Sequence, residues 1–170
     1  AKLLEEAGAN FILIPCLTAH YYYEPLKKKV HIPILHIIEE TVKFVEKRYK
    51  GIQKLGLIAT TGTLRTGLFQ KAFSSTGIGL ILPSSKIQKR YIMEAIYGKK
   101  GIKAVGPSEE SRMLIIKAAE RLILKGAQAI IAGCTEVPLV LKEGDIPVPV
   151  IDPVSILAQA AMAKAKSPKR

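Results

Sequence analysis

Two stretches of the chain, "GANFILIPCLTAH" from Gly8 and "GAQAIIAGCTEVP" from Gly126, follow one plan. Each opens on Gly-Ala, where a helix ends, and continues into a short apolar run. A cysteine then falls eight residues after the glycine, with a threonine one or two places further on. Downstream, "IPILHIIEETVKFV" from Ile32 and "VPVIDPVSILAQA" from Val148 each run from a proline through a strand into a helix. Those prolines stand 17 and 15 residues after their cysteines. One supersecondary unit used twice accounts for all of this. The repeat constrains the fold strongly, because strands that alternate with helices pair in parallel and bury both sheet faces.

The rest of the chain keeps the same alternation. Apolar, β-branched runs near 10–14, 32–37, 55–60, 78–82, 128–132 and 148–151 are expected as strands. Helical stretches are expected near 18–29, 38–49, 64–74, 84–97, 108–125 and 153–165. Ser108 with Glu109 and Glu110 suits a helix start, Gly126 a helix end and Pro153 a first helical turn. The fold class is therefore α/β, with two pseudo-equivalent Rossmann-like parallel-sheet modules facing across a cleft. Residues 1–50 with 152–170 form the first module, and 51–151 the second. The second unit has about 80 residues between its first strand and Cys134, whereas 15 precede Cys16, so duplication predicts some 65 further residues ahead of Ala1 and a first module that is N-terminally truncated.

A chain of 170 residues, 48% hydrophobic and 24% charged, is large enough for a substantial core. Its apolar runs are too short to span a bilayer and no basic-then-apolar leader opens it, so a cytoplasmic protein without membrane contact is expected. The two cysteines lie far apart, without CxxC or Cys/His ligand spacing, which argues for free thiols over a disulfide framework or a metal site. The formal charge of +12 is carried by "KKK" at 27–29, "GKKGIK" at 98–103 and the tail "AKAKSPKR". These lysines lack interleaved aromatics, so a solvated basic surface that attracts small anions is expected, with no specific nucleic-acid partner.

Position gives the cysteines a possible chemistry. Ligands bind beyond the carboxyl ends of parallel strands, where helix starts aim backbone N–H groups at the crevice and favour a thiolate. Two such units face to face would set one thiol on each side of a bound molecule, one removing a proton while the other supplies it. Their separation would be on the order of 7 Å, too far for a disulfide.

At these residues a family is evident. The segments "PCLTAHYYYEPL", "IEET", "GLIATTGTL", "IYGKKGIKAVG", "GCTEVPLVL" and "PVIDPVSILA" together resemble, in order, the cofactor-independent aspartate/glutamate racemases, near the aspartate racemases of the broader Asp/Glu/hydantoin racemase superfamily. The resemblance implies racemisation of aspartate or glutamate with Cys16 and Cys134 as the acid/base pair and with neither cofactor nor metal. It further implies that Thr18, Thr60, Thr61, Thr63 and Thr135 bind the substrate carboxylate and amino groups, and that Lys103 holds the side-chain carboxylate. Glu136, at a helix start, suits the helix dipole and is a candidate for positioning substrate. A small acidic amino acid and a second copy of the chain, as a homodimer, are the expected partners. Leu17 stands where the family usually carries asparagine, so the expectation is altered substrate contacts or weakened activity. The alternatives are a catalytically impaired domain that binds a small acid, or a related hydantoin racemase or decarboxylase. His20, beside Cys16, is expected to be structural, and Tyr21, Tyr22 and Tyr23 either pack or line the crevice mouth or an interface.

Overall fold

The structure, a computed structural model, describes residues 1–166, and the end of the basic tail, 167–170, lies outside the described residues. The chain starts with α1 (Lys2–Glu6), β1 (Ile12–Leu13), a 3₁₀ turn (Thr18–Tyr22), α2 (Tyr23–Lys27), β2 (Ile34–Leu35) and α3 (Ile37–Arg48). It continues through β3 (Lys54–Ile58), α4 (Thr61–Thr66), α5 (Leu68–Phe73) and β4 (Gly79–Ile81). A helical run follows, made of α6 (Ser85–Ile87), a π-helical turn (Gln88–Met93) and α7 (Glu94–Tyr97). The remaining elements are α8 (Ile102–Val105), α9 (Glu109–Ile123), β5 (Ala129–Ala132), α10 (Val137–Val140), β6 (Val150–Ile151) and α11 (Pro153–Lys166).

The expected α/β architecture with parallel sheets is what forms. β1 pairs with β2, and a second sheet runs in the order β4-β3-β5-β6, every pairing parallel. Strand periodicity divides the larger sheet into two faces. Leu55, Leu57, Ala129 and Ile131 join Ile37, Ile38 and Val45 of α3, Phe69 and Phe73 of α5, and Ile156 and Leu157 of α11. Ile58, Ile130 and Ala132 point the other way, into Ile92, Ala95, Ile96, Ile115, Ala118 and Leu122 of the helices on the far side. Both faces are dry, which is why β3 and β5 read as continuous apolar runs rather than alternating ones. Burying each such leucine or isoleucine contributes about 1.5–3 kcal/mol before the entropy of ordering the chain is set against it.

The helix signals hold at both ends of the molecule. Ser108 accepts from the Ser111 N–H, and Ser111 returns the contact to the Ser108 N–H, a reciprocal cap on α9. Pro153 is the first residue of α11, where its missing N–H costs nothing. Two expected helices are interrupted. The stretch 64–74 breaks at Gly67, whose φ of 64° ends α4 and starts α5, and the stretch 18–29 is split between the 3₁₀ turn and α2. Among the described residues no helix is long and apolar enough to cross a membrane.

Candidate active site

The carboxyl ends of β1, β3 and β5 supply the polar residues of one crevice. Past β1 the chain delivers Cys16, Leu17 and Thr18; past β3 it delivers Thr60 and Thr63; past β5 come Gly133, Cys134, Thr135 and Glu136. Tyr97 and Lys103 close the remaining side, and the cavity volume is about 60 Å³. Eight of the nine residues expected from the sequence thus share one wall or another of a single crevice. The ninth, Thr61, does not line it: its hydroxyl accepts from the Gln88 side-chain amide at 3.3 Å and its N–H meets Met93 Sδ at 3.4 Å.

Each side chain is held by its neighbours. Thr63 is the centre of a hydroxyl cluster, 2.6 Å from Thr18 Oγ1 and 3.2 Å from Thr60 Oγ1, so the β1 and β3 loops are joined directly at the crevice. Thr60 also caps α4 by accepting from the Thr63 N–H. Gly133, just before Cys134, is required by close approach. A Cβ there would lie 2.7 Å from Leu57 Cδ1, 3.0 Å from Ala59 Cβ and 3.1 Å from the Ile58 carbonyl oxygen, so a larger residue would force Leu57 and the β3 end to shift.

Both thiols are free, but their surroundings differ: Cys16 is exposed and Cys134 buried. Cys134 Sγ donates to Glu136 Oε2 at 2.8 Å, and Thr135 Oγ1 donates to the same oxygen at 2.9 Å. Lys103 Nζ pairs with the other carboxylate oxygen, Oε1. Burial pushes the Cys134 thiol up to about 12, and the hydrogen bond to the Glu136 carboxylate adds to the effect. The Glu136 backbone N–H and the Lys103 charge pull weakly the other way. Burial also raises the Glu136 carboxyl, yet the hydrogen bonds from Cys134, Lys103 and Thr135 outweigh it and hold the group down to about 2. Lys103 is raised, chiefly by its hydrogen bond to Glu136. The expectation that helix-start dipoles turn the thiol into a thiolate is therefore corrected at Cys134. The helix behind it, α10, is one turn long and starts three residues later, and an adjacent carboxylate plus desolvation outweigh its N–H groups.

His20 is structural, as expected. It is 2% exposed, with Nδ1 3.1 Å from the Cys16 carbonyl oxygen and Nε2 accepting from the Ile37 N–H at 3.2 Å. That acceptor role at Nε2 places the ring proton on Nδ1, from which it donates to Cys16. The imidazole thereby ties the cysteine loop to the start of α3. Tyr21 and Tyr23 line a separate groove of about 690 Å³ beside His36 and Glu39, away from the cysteines. Tyr97 was not foreseen as a lining residue. Its ring lies 5.6 Å from Lys103 Nζ, and the one sequence cue to it is an aromatic residue next to the Gly-Lys-Lys-Gly turn. Among the described residues no group of three or more His, Cys, Asp or Glu side chains is placed to hold a metal ion.

Comparison with known proteins identifies the family of the chain and its fold. The Broad specificity amino-acid racemase RacX of Bacillus subtilis is 30% identical over 164 residues, which cover 96% of this chain and 68% of RacX. A glutamate racemase of Aquifex pyrophilus is 27% identical over 145 residues, 84% of this chain and 52% of that protein. Among solved structures, an aspartate racemase homologue from Pyrococcus horikoshii superposes with a TM-score of 0.76 at 26% identity, covering 98% of this chain and 71% of that one. The Picrophilus torridus aspartate racemase shares the fold, with a TM-score of 0.82 at 24% identity over 99% of this chain and 68% of that one. Residues 1–161 match the Asp/Glu/Hydantoin racemase family across nearly the whole chain, and the chain belongs to that family of isomerases, which includes amino-acid racemases.

Proposed function

We propose that the crevice racemises an acidic amino acid, aspartate or glutamate, by a two-cysteine mechanism without a cofactor. The observation that carries the reading is the convergence of Cys16 and Cys134, from the two copies of the repeat, on one crevice that also holds threonine hydroxyls and Lys103. The α-proton is weakly acidic, so the donors must stabilise the enolate charge that develops on the substrate carboxylate. The Thr18, Thr60 and Thr63 hydroxyls are already clustered where that charge would form.

The geometry supports an order of events for one direction. Cys134 rests as a thiol, its proton directed at Glu136, and therefore acts as the proton donor. Cys16, exposed to the crevice, removes the α-proton from the opposite face as a thiolate. The carbon loses a proton to one sulfur and gains one from the other, leaving the enzyme with its thiol and thiolate exchanged. Lys103, on α8, would hold the side-chain carboxylate, with Thr135 beside it. We also assign residues 1–50 with the last helix to one module and 51–151 to the other, a division supported by the two separate parallel sheets.

The test is incubation with L-aspartate and L-glutamate in D₂O, following α-deuteration and D-enantiomer formation by NMR and chiral chromatography. The parent protein should do both on at least one substrate, and Cys16→Ala and Cys134→Ala should each abolish racemisation. Parent-rate racemisation by both variants would refute the two-thiol mechanism.

A further inference from the structure

Three polar side chains that line the crevice converge on one internal anion. Lys103 Nζ, the Cys134 thiol and the Thr135 hydroxyl each donate to the Glu136 carboxylate. We propose that Glu136 is a resident competitor for Lys103, and that it weakens the preference of the crevice for amino acids carrying a second carboxylate. The inference rests on the reading that this crevice holds the amino acid.

Exposure and charge lead to this. The Lys103 side chain is 42% exposed and the Glu136 side chain 13%, so the cation faces the mouth while its partner lies behind it. Glu136 is held well below the carboxylate range by its three donors and stays ionised at any working pH. A substrate therefore meets an anchor that is already neutralised. Its distal carboxylate has either to displace Glu136 from Lys103 or to share the three N–H donors of the ammonium with it, in each case close to a like charge. An amino acid with an uncharged side chain carries no such penalty and gains little from Lys103. Glu136 thereby narrows the gap between the two substrate classes. The contact is also loose enough to exchange, because an ion pair with one partner this exposed is weakly held.

Removing the competing charge while keeping the shape isolates the effect. Succinate, a dicarboxylate with no α-proton exchange to complicate the readout, is titrated by calorimetry into the parent protein, Glu136→Gln, Lys103→Met and the double variant. A like charge one ion-pair length from the anchor, in a half-exposed site, alters anion affinity by about tenfold, so Glu136→Gln should bind succinate about tenfold more tightly. Adding Lys103→Met should erase that gain. The proposal is overturned if Glu136→Gln binds succinate no more tightly than the parent, if the gain survives loss of Lys103, or if no form binds succinate. The unmodified protein provides a second reading that needs no variant to fold. With Lys103 neutralised it should prefer succinate over its monoamide by less than about fivefold, the small difference expected of an exposed pair, and a larger preference overturns the proposal. α-Deuteration of L-aspartate by the same parent sample tests the racemase reading separately, so the failure of one is distinguishable from the failure of the other.

Discussion

Acidification should destabilise this protein in a window set by one histidine. Burial lowers His20 from its ordinary 6.5 to about 4, outweighing the Cys16 carbonyl, which favours the charged ring. Protonation would place a second N–H at Nε2, against the Ile37 N–H that now donates to it at 3.2 Å. The sign is fixed by which state takes the proton first. Between pH 6.5 and 4 the unfolded chain is protonated at this residue while the folded one is not, so stability falls as pH falls through that interval and levels off below it. The full loss is about 3 kcal/mol, of which about 2 kcal/mol has gone by about pH 5. That is a large share of a typical 5–15 kcal/mol. Measurement near pH 5 lies above the window of Glu136, which is held down to about 2. His36 is lowered too, mainly by burial, and contributes in the same direction. Its Nδ1 accepts from the Glu39 N–H at the start of α3, so His36→Asn removes the titration and retains a side chain suited to the cap. Urea unfolding at pH 7.5 and at about pH 5 should show the loss in the parent and in His36→Asn, and a much smaller one in His20→Gln. Equal pH dependence in the parent and His20→Gln would refute the reasoning.

Three further outcomes are expected. Iodoacetamide at neutral pH should label exposed Cys16 well before Cys134, whose thiol is buried and pushed up to about 12; peptide mass spectrometry showing equal rates would contradict the environments described. Gly133→Ala should cost about 1–3 kcal/mol through overpacking against Leu57 and Ile58, lowering the midpoint of thermal unfolding and slowing any racemisation, and an unchanged midpoint would remove the steric argument. Leu17→Ala, at a side chain 2% exposed, should cost about 2–5 kcal/mol in urea unfolding, whereas a loss under about 0.5 kcal/mol would show that the site is not packed as described.

Much of the fold was legible because its signals are local and strong. β3 and β5 are dry on both faces and read as unbroken apolar runs, and α9 and α11 carry their own start signals at Ser108 and Pro153. The helices closed by Gly8 and begun at Glu136 were expected and are present as α1 and α10, but α8 was not foreseen. At four residues it completes barely one turn, too short to show a period, and such a helix is held by the packing around it. Strands over-extended in the reading for a related cause: only Ile12–Leu13 and Ile34–Leu35 pair in the first sheet, though apolar residues continue on either side. At the site, the repeat led to both cysteines, and the threonines and Lys103 came through resemblance. Tyr97 and the outward turn of Thr61 depend on how the helical run over 85–97 lies on the loop after β3, through Gln88 and Met93. No local pattern encodes that. The state of Cys134 was misjudged because a dipole argument counts backbone N–H groups and omits the carboxylate two residues away.

Leu17 and Cys134 have a joint mechanical consequence. Leu17 is embedded in the core on one face of the four-stranded sheet, and Cys134 in the core on the other. The backbone next to each thiol is therefore anchored in the packed interior, which compresses little and transmits strain, although the Cys16 side chain itself is exposed. The segment that carries Tyr97 and Lys103 is the more exposed wall, with Tyr97 55% and Val105 62% exposed, and it is pinned to the core at Ile102. On the two-cysteine reading, Leu17 would fix the backbone position of Cys16 from inside the core while also lining the crevice, and room for substrates of different length would come from the exposed residues between Tyr97 and Val105.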